Sequence, residues 1–116
     1  MKLSTILLCI MLGLSSSTMA QQKDVTIKLI ETTDVHGSFF PYDFITRKPK
    51  SGSMARVYTL VEELRKKDGK DNVYLLDNGD ILQGQPISYY FNYVAPEKTN
   101  IAASVLNYMG YDVATV

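Results

Sequence analysis

Apolar and polar residues alternate through "DVTIKLIETTD", Asp24 to Asp34, with Val25, Ile27 and Leu29 on one face and several β-branched side chains. That pattern predicts a strand. From Val35 to Gly52 the alternation stops. Pro41, Pro49 and Gly52 break this stretch and Arg47, Lys48 and Lys50 keep it solvated, which predicts a long loop. Met54, Val57, Leu60, Val61 and Leu64 then recur every three or four residues, the stripe of a helix capped by Ser53 and running to about Lys67. Lys66 and Lys67 complement its C-terminal dipole, and Gly69 offers a left-handed stop.

"VYLL", Val73 to Leu76, is a short continuous apolar run, as expected of a strand buried on both faces. It ends in the polar, glycine-bearing turn "DNGDILQGQP", after which Pro86 suits the first position of a second helix. "NIAASVLNYMG" predicts a third helix, with Ile101, Val105, Leu106 and Met109 inward and Gly110 as its stop; "YDVATV" begins another strand. The order strand, helix, strand, helices, strand predicts an α/β fold with a mainly parallel sheet.

The first twenty residues follow a different logic. "MKLSTILLCIMLGLSSSTMA" places one lysine before an apolar run from Ile6 to Leu14, then closes on the small-residue stretch Thr18-Met19-Ala20. This is the layout of a secretory signal peptide over residues 1–20, so the chain is expected to be exported, periplasmic or secreted. The run falls short of the roughly 20 residues a membrane-spanning helix needs, so no stable membrane anchor is expected. The single cysteine, Cys9, lies in this leader, so the mature chain relies on its core or on bound metal rather than disulfides. Across the whole chain 12 basic and 12 acidic residues cancel, which argues against a nucleic-acid polymer as partner.

Candidate chemistry gathers at two predicted strand ends, where ligands bind in parallel sheets. The only histidine, His36, follows Asp34 by two positions in "TTDVHGSFF". Residues so spaced on an extended segment point the same way, about 6–7 Å apart, and can converge on one ion. Mixed oxygen and nitrogen donors suit zinc, manganese or iron better than calcium. Gly37 lets the backbone turn away from the ion, and Gly79 permits the turn that tips Asp80 across the strand ends. An aspartate there can bridge two cations, and pairs about 3.5–4 Å apart are a standard device for hydrolysing phosphate esters. Asp77 and Asn78 suit turn formation or hydrogen bonding behind the ligands. The run "YYFNY", Tyr89 to Tyr93, suits core or interface packing, with a base-binding pocket as the alternative; Phe39 and Phe40 either face substrate or pin the loop.

Together, "ETTDVHG", "GSMARV", "LLDNGDILQGQP" and "NYMGYDVATV" resemble the calcineurin-like metallophosphoesterases. More narrowly, they resemble the exported bacterial 2′,3′-cyclic-nucleotide 2′-phosphodiesterase/3′-nucleotidase and 5′-nucleotidase family. The resemblance implies that residues 21–116 form the N-terminal part of an α/β/β/α sandwich. It implies two divalent metal ions (zinc, manganese or iron), with Asp34 and His36 on the first and Asp80 bridging both. The implied activity is hydrolysis of small-molecule nucleotide phosphate esters: 2′,3′-cyclic nucleotides and 3′-nucleotides, with a 5′-nucleotidase as the alternative. A secreted binding domain that kept the fold and lost the chemistry is the reading from another class. In that family a Gly-Asn-His-Glu/Asp motif follows the strand matching "YDVATV" and supplies the catalytic histidine, and a second domain holds the base. The sequence stops at Val116, ahead of that motif. The expectation is therefore a truncated domain that is inactive by itself, with its catalytic histidine beyond Val116.

Overall fold

The computed structural model describes residues 24–115; the leader expected over 1–20 lies outside them. In chain order the elements are β1 (Lys28–Thr32), the short strands β2 (Tyr42–Asp43) and β3 (Lys48–Pro49), and helix α1 (Met54–Asp68). A 3-10 turn (Lys70–Asn72) leads into β4 (Val73–Asp77). Helix α2 (Pro86–Tyr89) continues as a π-helical turn (Tyr90–Val94), and α3 (Ile101–Met109) precedes β5 (Val113–Ala114). β1 pairs in parallel with β4, Lys28 opposite Val73 through Thr32 opposite Asp77, and β5 joins the other edge of β4 in parallel. The expected α/β fold with a parallel sheet is what forms, in the strand order β1-β4-β5.

Local sequence explains where the long helices start and stop. The Ser53 hydroxyl accepts from the Arg56 amide, and Arg65, Lys66 and Lys67 fill the last turn of α1. Gly69 ends α1 with a positive φ of 90° but an extended ψ of 141°, so the expected left-handed helical stop is replaced by a direct exit toward β4. α3 is capped by Asn100, whose Oδ1 accepts from the Ala102 amide at 2.9 Å, and ends on Gly110 in the left-handed region.

Both crossovers, β1–α1–β4 and β4–α3–β5, step one strand in the same direction. Right-handed connections then place both helices on one face of the sheet. The core forms there, from Met54 and Val61 of α1, Val73 and Leu75 of β4, Ala102 and Met109 of α3, with Phe39 and Ile81 from the loops. Two expectations change. The strand predicted over Asp24 to Asp34 shortens to Lys28–Thr32, with Val25, Ile27 and Leu29 66%, 57% and 69% exposed while Ile30 and Thr32 turn toward the helices. β4 is buried on one face only, with Tyr74 exposed between buried Val73 and Leu75. The α1 stripe holds except at its rim, where Leu60 is exposed.

The predicted loop from Val35 to Gly52 contains the β2–β3 hairpin. Asp43 accepts from the Ile45 and Thr46 amides, and Arg47 turns the chain back with a φ of 55°. The Thr46 amide, and after it that of Ile45, holds the Asp43 carboxyl below its ordinary value. Phe39 is buried and pins the loop to the core, whereas Phe40 is exposed. The "YYFNY" run does not pack into the core: Tyr89, Tyr90 and Tyr93 are exposed on the short α2 and its π-helical turn. Among the described residues no helix is long and apolar enough to cross a membrane.

Burial this uneven gives a direct test. Leu75→Ala, which empties a fully buried site, should cost about 2–5 kcal/mol of unfolding free energy, whereas Leu60→Ala on the exposed rim should stay within about 0.5 kcal/mol. Urea titration followed by circular dichroism measures both.

Candidate metal centre

Pairing between β1 and β4 continues past the strand ends into the loops. The Asn78 amide donates to the Thr32 carbonyl at 2.8 Å, Asp34 to Gly79 at 3.1 Å, and His36 to Asp80 at 3.0 Å. This extension brings the "TTDVHG" and "DNGD" stretches side by side. Asp34, His36 and Asp80 each offer a ligand atom, and those atoms lie within 4.8 Å of one another. The sequence placed Asp34 and His36 on an extended segment. Instead β1 ends at Thr32, and Asp34, His36 and Asp80 adopt left-handed backbone, with φ of 52°, 50° and 57°. Non-glycine residues in that region are uncommon and gather at functional sites, and Asp and His tolerate it better than most.

His36 Nδ1 lies 3.5 Å from Asp80 Oδ1, with their side chains 47% and 37% exposed. Two donors meeting an ion at tetrahedral angles, with bonds of 2.0–2.2 Å, sit about 3.3–3.6 Å apart. One imidazole and two carboxylates at these separations fit a divalent cation of the zinc, manganese or iron type. Asp34 and Asp80 each carry a further contact: Thr33 Oγ1 donates to Asp34 Oδ2 at 2.6 Å, and Gln83 Nε2 to Asp80 Oδ1 at 2.8 Å. Gly37 follows His36 with a φ of 70°, and a Cβ there would collide with Ser88 Oγ, so this turn requires glycine.

Behind the cluster lies a polar core that sequence reading found only in part. Asp77 is 2% exposed; its Oδ1 accepts from Thr32 Oγ1 at 2.7 Å and its Oδ2 from the Gly79 amide at 3.1 Å. It is thus the turn former expected, holding the loop that leads to Asp80. Tyr111 Oη lies 2.9 Å from Thr32 Oγ1, within hydrogen-bond reach. Burial, and to a lesser degree the Asp77 charge, pushes the Tyr111 phenol above its ordinary value against the lowering effect of the Thr32 bond. Thr32 and Tyr111 carry no sequence signal beyond strand position, because 79 residues separate them along the chain. Beside Asp80 a cavity of about 330 Å³ opens, lined also by Gln83, Asn92 and Tyr93.

No family model matches the chain. It is 33% identical over 114 residues to the 2′,3′-cyclic-nucleotide 2′-phosphodiesterase/3′-nucleotidase of Haemophilus influenzae, covering 90% of this chain and 17% of that protein. It is 30% identical over 99 residues to the trifunctional nucleotide phosphoesterase protein YfkN of Bacillus subtilis, covering 79% of this chain and 7% of that protein. The crystal structure of calcineurin-like phosphoesterase YfkN from Bacillus subtilis matches with a TM-score of 0.66 at 30% identity, covering 79% of this chain and 29% of that one. The chain is related to the calcineurin-like phosphoesterases. It spans less than a fifth of the length of the curated relatives and under a third of the solved structure. Both the parallel sheet and the family resemblance expected from the sequence agree with these relatives.

Two tests follow from the buried polar core. Asp77→Asn can keep its bond from the Gly79 N–H only by turning its NH2 toward Thr32 Oγ1, losing the carboxylate charge and the hydroxyl donor, and should cost about 1–3 kcal/mol in denaturant unfolding. Tyr111 has a raised folded pKa, so its contribution is intact below the ordinary value of 10.0 and is lost as pH rises through the folded value. Stability should fall above that pH more steeply than in Tyr111→Phe, measured by thermal unfolding across the alkaline range.

Proposed function

We propose that this chain supplies part of the metal centre of an exported phosphoesterase that hydrolyses nucleotide phosphate esters, 2′,3′-cyclic nucleotides and 3′-nucleotides among them. The observation that carries this reading is the convergence of Asp34, His36 and Asp80 at the carboxyl ends of two adjacent parallel strands. Nucleotide-hydrolysing relatives support the substrate class. In this reading Asp34 and His36 would hold a first divalent cation, and Asp80 would serve both that ion and a second. Such a pair supplies charge neutralisation at the phosphoryl oxygens and activates water for in-line attack.

The chain's own residues do the positioning. The His36–Asp80 backbone bond sets the spacing of the donors, and Thr33 steers the Asp34 carboxylate. The open side of the cluster admits a phosphate ester, whose charge the cations offset. Residues 1–20 act as the export signal, and the 116 residues by themselves are inactive because the cluster offers donors for one partial site.

Calorimetry with manganese or zinc on the full chain should give one weak site. Asp80→Asn or His36→Ala should weaken it by about tenfold or more with the unfolding midpoint nearly kept, while turnover of 2′,3′-cyclic AMP stays at background. Heat unchanged in both variants would remove these residues from the metal centre. In an exporting bacterial host, sequencing of the released chain should begin at Gln21; a chain retaining Met1 in the cytoplasm would overturn the export reading.

A further inference from the structure

The segment after Leu82 touches both Asp80 and His36. Gln83 Nε2 donates to Asp80 Oδ1 at 2.8 Å, the same oxygen that faces His36 Nδ1 at 3.5 Å. Gly84 has a φ of 110°, and a Cβ there would stand 2.6 Å from the His36 carbonyl oxygen and 2.7 Å from the His36 Cβ. The Gln85 amide donates to that carbonyl at 3.0 Å. Three consecutive residues therefore grip one candidate ligand through its carboxylate and the other through its backbone.

We infer that Gln83–Gly84–Gln85 is a clamp setting the approach of His36 to Asp80, with Gln83 the positioning residue for the Asp80 carboxylate. The inference rests on the metal reading above. Asp80 sits on a loop with its side chain 37% exposed, so without a partner its carboxylate would rotate through many orientations. The Gln83 amide fixes it while occupying only one of about four acceptor positions on the two oxygens, leaving the rest for a cation. A lysine or arginine in that place would orient the group equally well and repel the ion. A neutral donor does the first without the second.

The clamp is braced from behind. Asn92, on the π-helical turn, donates to the Leu82 carbonyl at 2.6 Å, and Asn100 donates to Asn92 Oδ1 at 2.8 Å. Asn100 is also the cap of α3, so the loop holding Asp80 is tied to the start of a long helix. Single π-helical turns within helices are frequent at functional sites, and this one delivers Asn92 to the clamp.

The test uses the full chain, cobalt(II) as probe and a double-mutant cycle. In the metal-free, nitrogen-15-labelled chain, the Gln83 side-chain amide protons should be shifted and slowed in exchange, and should move when Asp80 becomes Asn. Cobalt binding, read from paramagnetic shifts that report even millimolar affinity, should weaken by about 10–100-fold in Gln83→Met, with the unfolding midpoint unchanged. The same substitution should cost nothing in the Asp80→Asn background, because Gln83 acts through that carboxylate. A wild-type affinity in Gln83→Met, or an equal loss in both backgrounds, overturns the clamp. Absence of cobalt binding in the wild-type chain overturns the metal reading instead. The amide resonances then decide the clamp: free-side-chain positions, indifferent to Asp80→Asn, sink it.

Discussion

Backbone pairing that outlasts the strands is the constraint on which the rest of this structure depends. β1 and β4 cease to be regular at Thr32 and Asp77, yet amide-to-carbonyl bonds continue through Asn78, Asp34 and His36. Those bonds hold two loops in register where, left to themselves, loops diverge. A shift of one residue would rotate each side chain to the opposite side and separate Asp34 and His36 from Asp80. Register is guarded by the Asp77 carboxylate, which is buried and so must keep its partners. One partner is the Thr32 hydroxyl on the neighbouring strand, the other the Gly79 amide in its own loop. Buried charge at this point couples strand pairing to loop shape.

The sheet's topology sets the surroundings of that junction. Strands added in one direction by right-handed crossovers collect α1 and α3 on a single face, and the buried cluster from Phe39 to Met109 forms beneath them. Loops leaving the carboxyl ends of β1 and β4 then emerge over the edge of a rigid platform. Phe39 and Ile81, one from each loop, are driven into that core and carry the polar residues beside them into place. Anchoring by apolar side chains and presentation of polar ones thus occur within the same short segments.

Much of this was legible in the sequence wherever the determinants are local. Ser53, the α1 stripe and Gly110 announced two helices, since capping and periodicity act within a few residues. That Asp34, His36 and Asp80 come together was legible too, because Asp-x-His-Gly and Asn-Gly-Asp each close an apolar run. How the cluster forms was not. Extended geometry was the natural assumption for Asp34 and His36, but the bonds to Gly79 and Asp80 impose left-handed backbone that no spacing rule encodes. Which face of β1 turns inward also escaped. Val25, Ile27 and Leu29 are as apolar as any core strand, yet Val25 and Ile27 precede β1 and Leu29 lies on the exposed face of the sheet. The tie from Thr32 to Tyr111 depends on β5 arriving beside β4, a tertiary event.

The left-handed backbone at Asp34, His36 and Asp80 narrows what evolution can do with these positions. Aspartate, asparagine, histidine and glycine occupy that region with least strain, while β-branched residues meet their own backbone there. Chemistry and conformation therefore select overlapping sets of amino acids. Drift from Asp to Asn or from His to Asn keeps the loop and removes a carboxylate charge or an imidazole, so the chemistry of the cluster can change in one step without disturbing the fold. Drift toward Val or Ile meets a steric barrier whether or not an ion is present. Aspartate and histidine at all three places are thus only part-determined by geometry, and their charge and imidazole are the part that geometry leaves over for function.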